Sequence, residues 1–243
     1  MELRFIHFYP QLMSLYGSYA NVAILRRHLE DLGNTVTVET VQPGEDCDLT
    51  GADFIFLGAG TERAQKAALA DLRRFGGQLS AAANAGTAML FAGTAMDLLG
   101  KSITDENGEI FEGLGLAEFS TAQGKRRYVE DVYGHTDLYE EAVVGFMNKS
   151  SVITGVEHPL LTEVNMGMGN EAEKGPEGYH RNHVYASHLT GPLLVKNPQL
   201  LEAFLHIIYH QRNEFLPAKR PRYPYEEQGY AVTEEQLRLR WEK

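Results

Sequence analysis

Cysteine is nearly missing from this chain: Cys47 is the only one in 243 residues. That excludes an internal disulfide framework and any cysteine-cluster metal site. No apolar run approaches the roughly 20 residues that a membrane-spanning helix requires. The opening segment, MELRFIHFYP, has no charged stretch followed by a long apolar core, so no secretory signal is expected. Positive charge is in deficit, 22 Lys and Arg against 33 Asp and Glu for a net charge of −11. This argues against non-specific binding to nucleic acid or anionic membranes. There is no internal repeat and no low-complexity tract. What is there, 43% hydrophobic and 23% charged residues, suffices for a full core. These features predict an acidic, cytoplasmic α/β protein without a metal or cofactor.

Strand-like and helix-like patterns alternate through the first hundred residues. Leu3–Phe8 reads as a strand, broken by Pro10. A helix runs from about Ser18 to Leu32, with Val22, Leu25, Leu29 and Leu32 along one face and Gly33 as its stop. Thr35–Val41 alternates β-branched and polar residues. After a polar loop, Asp53–Leu57 is a third strand that runs straight into Gly58-Ala59-Gly60. A helix over about 62–75 carries Ala64, Ala68, Leu72 and Phe75 inward and is expected to end at Gly76-Gly77; a small-residue helix follows at about 80–85. Such spacing makes βαβ units and a parallel sheet with right-handed crossovers. In sheets of this kind ligands sit beyond the carboxyl ends of the strands.

The stretch that organises the chain is TAMLFAGTAMDLLG (87–100). Ala88–Ala92 is too short for a buried helix and reads as a strand covered on both faces. Gly93-Thr94 stops it, and 95–99 reads as a short helix ended by Gly100. Strand, sharp turn and helix have the shape of a nucleophile elbow. At its apex stands Gly93, which tolerates φ > 0 but has no side chain with which to attack.

Beyond Gly100 the texture becomes β-rich. Asn107-Gly108 signals a hairpin, and Tyr128–Tyr133 and Ala142–Met147 read as antiparallel strands packed on the same sheet. The tract 167–178 (GMGNEAEKGPEG) is polar, glycine-rich and expected to be mobile. Val184–Leu189 reads as a strand that ends before Thr190-Gly191-Pro192. Asn197 is a candidate N-cap with Pro198 at the first helical position, and the helix to about Gln211 buries Leu201, Phe204, Leu205 and Ile208. Residues 214–229 read as an extended arm. A last helix is expected to start at Thr233, where Thr233 and Gln236 fit a capping box. The chain thus divides into a main domain, 1–213, and a C-terminal arm with a short helix, 214–243.

Five separated stretches, FYPQLMSLYGSYAN (8–21), FIFLGAGTERAQ (54–65), GTAMLFAGTAMDLLG (86–100), ITDENGEIFEGLGL (103–116) and MGMGNEAEKGPEGYHRNHVYASHLTGPLLVKNP (166–198), together resemble the class I glutamine amidotransferases of the cobyric-acid-synthase type. Within that family the likeness is greatest to the glutaminase subunits that amidate cell-wall precursors. It runs in collinear order over roughly residues 3–210. It implies a flavodoxin-like, doubly wound, mainly parallel sheet with helices on both faces and an antiparallel extension. The family's chemistry implies an elbow cysteine that attacks the carboxamide of glutamine, and a histidine before Gly-Pro that acts as base. Backbone N–H groups hold the oxyanion. The family elbow reads Cys-Gly-Gly-Tyr-Gln-Leu-Leu-Gly. Here the cysteine position is Gly93 and the histidine position is Thr190. Gly58, Ala59, Gly60 and Thr94 fall at the oxyanion-holding backbone, with Ala59 narrowing it. Arg126 or Arg127 is expected at the position that holds the carboxylate of a glutamine-like ligand.

The resemblance therefore implies a binding or regulatory subunit that has lost glutamine hydrolysis, partnered by an ATP-dependent, Mur-ligase-like protein. The alternative is an active enzyme that uses the inherited pocket through Thr94 or His188. Thr94 can equally cap the following helix. By period-two alternation His188 shares a face with Thr190 and can reach the pocket. Cys47 lies in a polar loop without elbow geometry. His180, His183 and His188 invite a zinc reading but have no carboxylate near them in sequence. Glu62 and Arg63 read as a cap and surface ion pair or as ligand contacts. Lys219, Arg220 and Arg222 with Tyr223, Tyr225 and Tyr230 give the arm an interface-like composition.

Overall fold

A computed structural model describes all 243 residues. In the N-terminal half, strands β1 (Glu2–Phe8), β2 (Thr35–Val41), β3 (Phe54–Leu57) and β4 (Ala88–Ala92) alternate with helices α1 (Ala20–Asp31), α2 (Glu62–Leu72) and α3 (Gly76–Asn84). The four strands pair in parallel in the order 4-3-1-2. All residues of β3 and β4 are buried, as their unbroken apolar runs require of strands covered on both faces. Two core clusters result. One packs α2 and α3 on one face of the sheet, and the other packs α1 and the later helix α5 (Pro198–Gln211) on the opposite face.

The second half departs from the expected single sheet. β5 (Ser102–Thr104), β6 (Ile110–Glu112), the long β7 (Ser120–His135) and β8 (Val143–Thr154) form a sheet of their own, with β9 (Glu163–Met166) beside β7. β10 (Tyr179–Arg181) and β11 (Val184–Ser187) then return to the parallel sheet at the free edge of β4, and β12 (Leu189–Thr190) pairs with β8 in the second sheet. The expected strand 184–189 is thus broken at His188, where the chain changes sheets. The expectation from alternation that His188 and Thr190 share one face fails for that reason.

Three local expectations are corrected. Gly76-Gly77 does not end a helix: a 3-10 turn at Arg73–Phe75 buries Phe75, and Gly76 (φ −51, ψ −44) begins α3. Asn197 sits at the N-cap of α5, but its side chain makes no cap bond there. It accepts the Val144 N–H at 2.8 Å and donates to the Val144 and Leu193 carbonyls at 2.9 Å, tying the short helix α4 (Leu193–Lys196) to the second sheet. The last helix, α6 (Pro224–Trp241), starts well before Thr233 with Pro224 in its first turn. Thr233 is interior and donates back to the Gly229 carbonyl. The early start follows from anchors at the other end, where Tyr223 stacks on His28 and Glu226 bonds its imidazole. α6 leans on the second sheet: Leu237 is buried with Tyr133 and Val144, and Trp241 stacks on Tyr133. No helix is long and apolar enough to cross a membrane.

Candidate functional site

The carboxyl end of β4 is where the sequence and the fold agree most closely. Ala92 is extended, and Gly93 turns the chain with φ +63 into a 3-10 segment, Gly93–Leu99, whose residues are all buried. A Cβ built on Gly93 would lie 2.7 Å from the Ala59 methyl and 3.0 Å from the Thr190 methyl. The elbow apex, the loop after β3 and the residue before Gly191-Pro192 therefore meet at one point, as the resemblance implies. No thiol or imidazole stands in that corner; a methyl from each neighbour fills it.

The surrounding backbone is also engaged. The Thr94 hydroxyl accepts the Gly60 N–H at 2.9 Å and donates to the Gly60 carbonyl at 2.9 Å. Ala59 N–H donates to Ser18 Oγ at 3.3 Å. Thr94 therefore does not cap the segment after β4; its hydroxyl is locked across to the Gly58-Ala59-Gly60 loop. The loop itself is tightly built, because a Cβ on Gly58 or Gly60 would collide with the Met13–Ser18 segment. Thr190 donates its hydroxyl to the Phe146 carbonyl at 3.0 Å.

Beside the corner lies a polar cleft of about 170 Å³ lined by Glu62, Lys66, Gln123, Arg127 and Ser150, among others. Arg127 is not free there. Its guanidinium meets Glu62 at 2.5 Å and Asn148 at 2.9 Å, and Glu62 also takes the Ser150 hydroxyl. Burial works against the Glu62 charge, but its own backbone N–H, Arg127 and Ser150 still hold its carboxyl below the usual range. Arg126 lies over the Tyr128 ring at 4.9 Å, on the other side of its strand. Thr61, not Glu62, caps α2.

Behind the elbow is a polar network that the sequence does not announce. Asp97, one residue of the apolar-looking elbow, receives Gln65 Nε2 at 2.8 Å and lies 2.8 Å from His188 Nε2. Because a carboxylate only accepts, that nitrogen carries the hydrogen. Ser151 is 3.2 Å from the same nitrogen. Glu177, fully buried, accepts the His188 N–H and the Ser187 hydroxyl, each at 2.7 Å. Its carboxyl lies 3.6 Å from His188 Nδ1, which has no hydrogen-bond partner. Gln65 also donates to the Thr94 carbonyl at 2.5 Å and receives Gln123. Lys149, 1% exposed, donates to the Gly169 and Asn170 carbonyls at 2.7 and 3.3 Å. Desolvation lowers its pKa, against the pull of Glu177 and Asp97. The glycine-rich tract read as mobile is thus held by Lys149 and by Asn170, which both accepts from and donates to Gly178. One signal for this network was available: Asp97 interrupts an otherwise apolar run.

The remaining candidates separate. Cys47 bonds Glu39 at 3.0 Å and has no histidine among its partners. Burial, then that carboxylate, pushes its thiol up to about 11. His180 stacks on Tyr185 and His183 bonds the Gly86 carbonyl, so neither converges with His188 on a metal position.

Comparison with known proteins agrees with this geometry. The model of the CobB/CobQ-like glutamine amidotransferase domain matches residues 4–198. The chain is 30% identical over 202 residues to subunit GatD of the glutamine-hydrolysing lipid II isoglutaminyl synthase of Streptococcus pneumoniae, covering 82% of this chain and 77% of that one. It is 28% identical over 204 residues to the Staphylococcus aureus GatD, covering 84% and 83%. A crystal structure of a glutamine amidotransferase superposes with a TM-score of 0.54 at 17% identity over 84% of this chain and 98% of that chain, a likeness of fold. With the elbow, the glycine loop and the strand before Gly191-Pro192 meeting as they do, the chain belongs to the CobB/CobQ-like glutamine amidotransferase family.

Proposed function

We propose that this chain is a glutamine amidotransferase-like subunit of a cell-wall-precursor amidating complex and that it acts by binding, without hydrolysing glutamine. The observation that carries this reading is the corner at Gly93, where the attacking atom and its base are absent and the methyls of Ala59 and Thr190 occupy the space. Glutaminase chemistry needs a nucleophile, a proton acceptor and free oxyanion donors together. Here the Gly60 N–H is taken by Thr94, and the Arg127 fork is taken by Glu62. The partner is an ATP-dependent, Mur-ligase-like subunit, in keeping with relatives named as subunits of lipid II isoglutaminyl synthase. The alternative of new catalysis through Thr94 or His188 is disfavoured by position: one hydroxyl is locked to Gly60, and the imidazole is 1% exposed behind the elbow.

Ammonia release from glutamine, measured on the chain alone and in complex with the ligase-like subunit, tests the reading. No release above background is expected. Release by the native complex, abolished by Thr190→Val, would overturn it. Reconstruction sharpens the test. Gly93→Cys with Thr190→His alone should stay silent, because the new Cβ meets Ala59. Adding Ala59→Gly and Thr94→Gly clears the corner and frees the Gly60 N–H, and should bring measurable release.

A further inference from the structure

The segment that leads from α5 to α6 does not lie flat on the helices it crosses. On one side Tyr223 stacks on His28, with ring centroids 3.7 Å apart and planes 20° from parallel. The Tyr223 hydroxyl donates to Asp31 at 2.8 Å, and Glu226 meets His28 Nε2 at 2.9 Å. On the other side Arg220 bonds Glu202 of α5 at 2.7 Å. Between these fastenings the segment arches over a cavity of about 290 Å³. The cavity lies on the outer side of the α1–α5 layer, away from the carboxyl edge that holds Gly93.

Its chemistry is divided. Leu32, Pro198, Leu201 and Leu205 make an apolar floor. Two pairs of lining groups, Arg220 with Glu202 and His28 with Glu226, already satisfy each other. Two lining charges remain without a side-chain partner, the Arg222 guanidinium and the Glu227 carboxylate. One cation and one anion at the rim of an apolar floor match a small zwitterion with an apolar body.

We propose that this arch is a binding site for a free α-amino acid with an aromatic or branched apolar side chain. The ligand's carboxylate would take the Arg222 fork, its ammonium Glu227, and its side chain the leucine floor. The volume is at the low end for small-molecule clefts, near 300 Å³, which fits one amino acid and excludes a nucleotide. Glutamine is a poor occupant, because the floor offers its carboxamide no hydrogen-bond partner. Arg222 and Glu227 lie beyond residues 4–198, so this site is separate from the family's glutamine chemistry.

Isothermal titration of the full chain tests the proposal with L-phenylalanine and L-leucine as probes. Phenylacetate, which lacks the ammonium, and phenethylamine, which lacks the carboxylate, serve as half-probes, with L-glutamine as the polar control. Saturable one-site binding of an apolar amino acid is expected, with each half-probe and glutamine weaker by about tenfold or more. Arg222→Ala and Glu227→Gln should each weaken L-phenylalanine by about tenfold or more while leaving the unliganded thermal midpoint unchanged, since both side chains are exposed. Failure of both amino acids to saturate at tens of millimolar would overturn the proposal. So would equal binding by the half-probes or by glutamine, or retention of affinity in both variants.

Discussion

The two sides of the β4 turn have gone opposite ways. In front of the elbow, Gly93, Ala59 and Thr190 present a backbone and two methyls where the family's reaction needs a thiol and an imidazole. Behind it, Asp97, His188, Glu177, Ser151 and Lys149 keep a dense set of ionisable and polar side chains, hydrogen-bonded to one another or to backbone and almost without solvent contact. The difference teaches that a dense buried polar network can stand directly behind a turn whose front corner carries no ionisable side chain. A buried polar group left without its partner is costly.

The largest test of that contrast is behind the elbow. Lys149→Met removes the donor from two buried carbonyls and the positive charge that attracts Glu177 and Asp97. It should destabilise the protein by about 3–5 kcal/mol, in the manner of a broken buried charge cluster, as measured by denaturant unfolding. A loss below about 1 kcal/mol would mean that the network is not what holds the tract at 167–178.

Next in size is a comparison of two buried histidines. His188 lies between two carboxylates and has its Nε2 bonded, whereas His7 on β1 has neither a carboxylate partner nor any partner for its Nε2. Burial lowers the His7 pKa from 6.5 to about 4. The unfolded chain therefore takes up a proton near pH 6.5 that the folded chain refuses until about pH 4. The stability tied to His7 is whole above pH 6.5 and is lost as the pH falls toward 4, by up to about 3 kcal/mol. His7→Phe, which keeps the edge contact with Phe56, should flatten that part of the profile. An unchanged acid limb would assign the loss to other groups.

In front of the elbow the effects should be smaller and should depend on Ala59. Gly93→Ala combines positive φ with a Cβ held 2.7 Å from the Ala59 methyl, and should cost about 1–3 kcal/mol. In an Ala59→Gly background the steric part should shrink, leaving the backbone strain and the 3.0 Å contact with the Thr190 methyl. Additivity of the two changes would mean that the methyl contact does not matter. The smallest effect concerns Cys47: with its thiol near 11, alkylation by iodoacetamide at pH 7.5 should be slow in the folded chain and rise sharply on unfolding.

The front of the elbow was legible in the sequence because its signals are local: an apolar strand, a glycine at the turn, and a second anchor at Gly191-Pro192. The network behind it was not. Its members come from positions 65, 97, 149, 151, 177 and 188, far apart in sequence, and except for Asp97 in its apolar run and His188 near Gly191-Pro192 each alone resembles an ordinary surface residue. Lys149 in particular sits in a polar run, Asn148-Lys149-Ser150-Ser151, that gives no hint of burial. The division into two sheets was illegible for another reason, since period-two alternation says that a segment is extended without saying which partner it joins. α6 was misplaced because Gly229 and scattered charges mask its first turns, and because its start is fixed by His28 on a distant helix.

The single residue by which the chain steps from β11 to β12 has a consequence for how the molecule comes apart. One nitrogen of His188, Nε2, faces both Asp97 in the turn after β4 and Ser151 of β8, so opening either layer drags on the hinge of its neighbour. Residues from both should then exchange their amide hydrogens through one shared global event, and no half-open species should accumulate during denaturation.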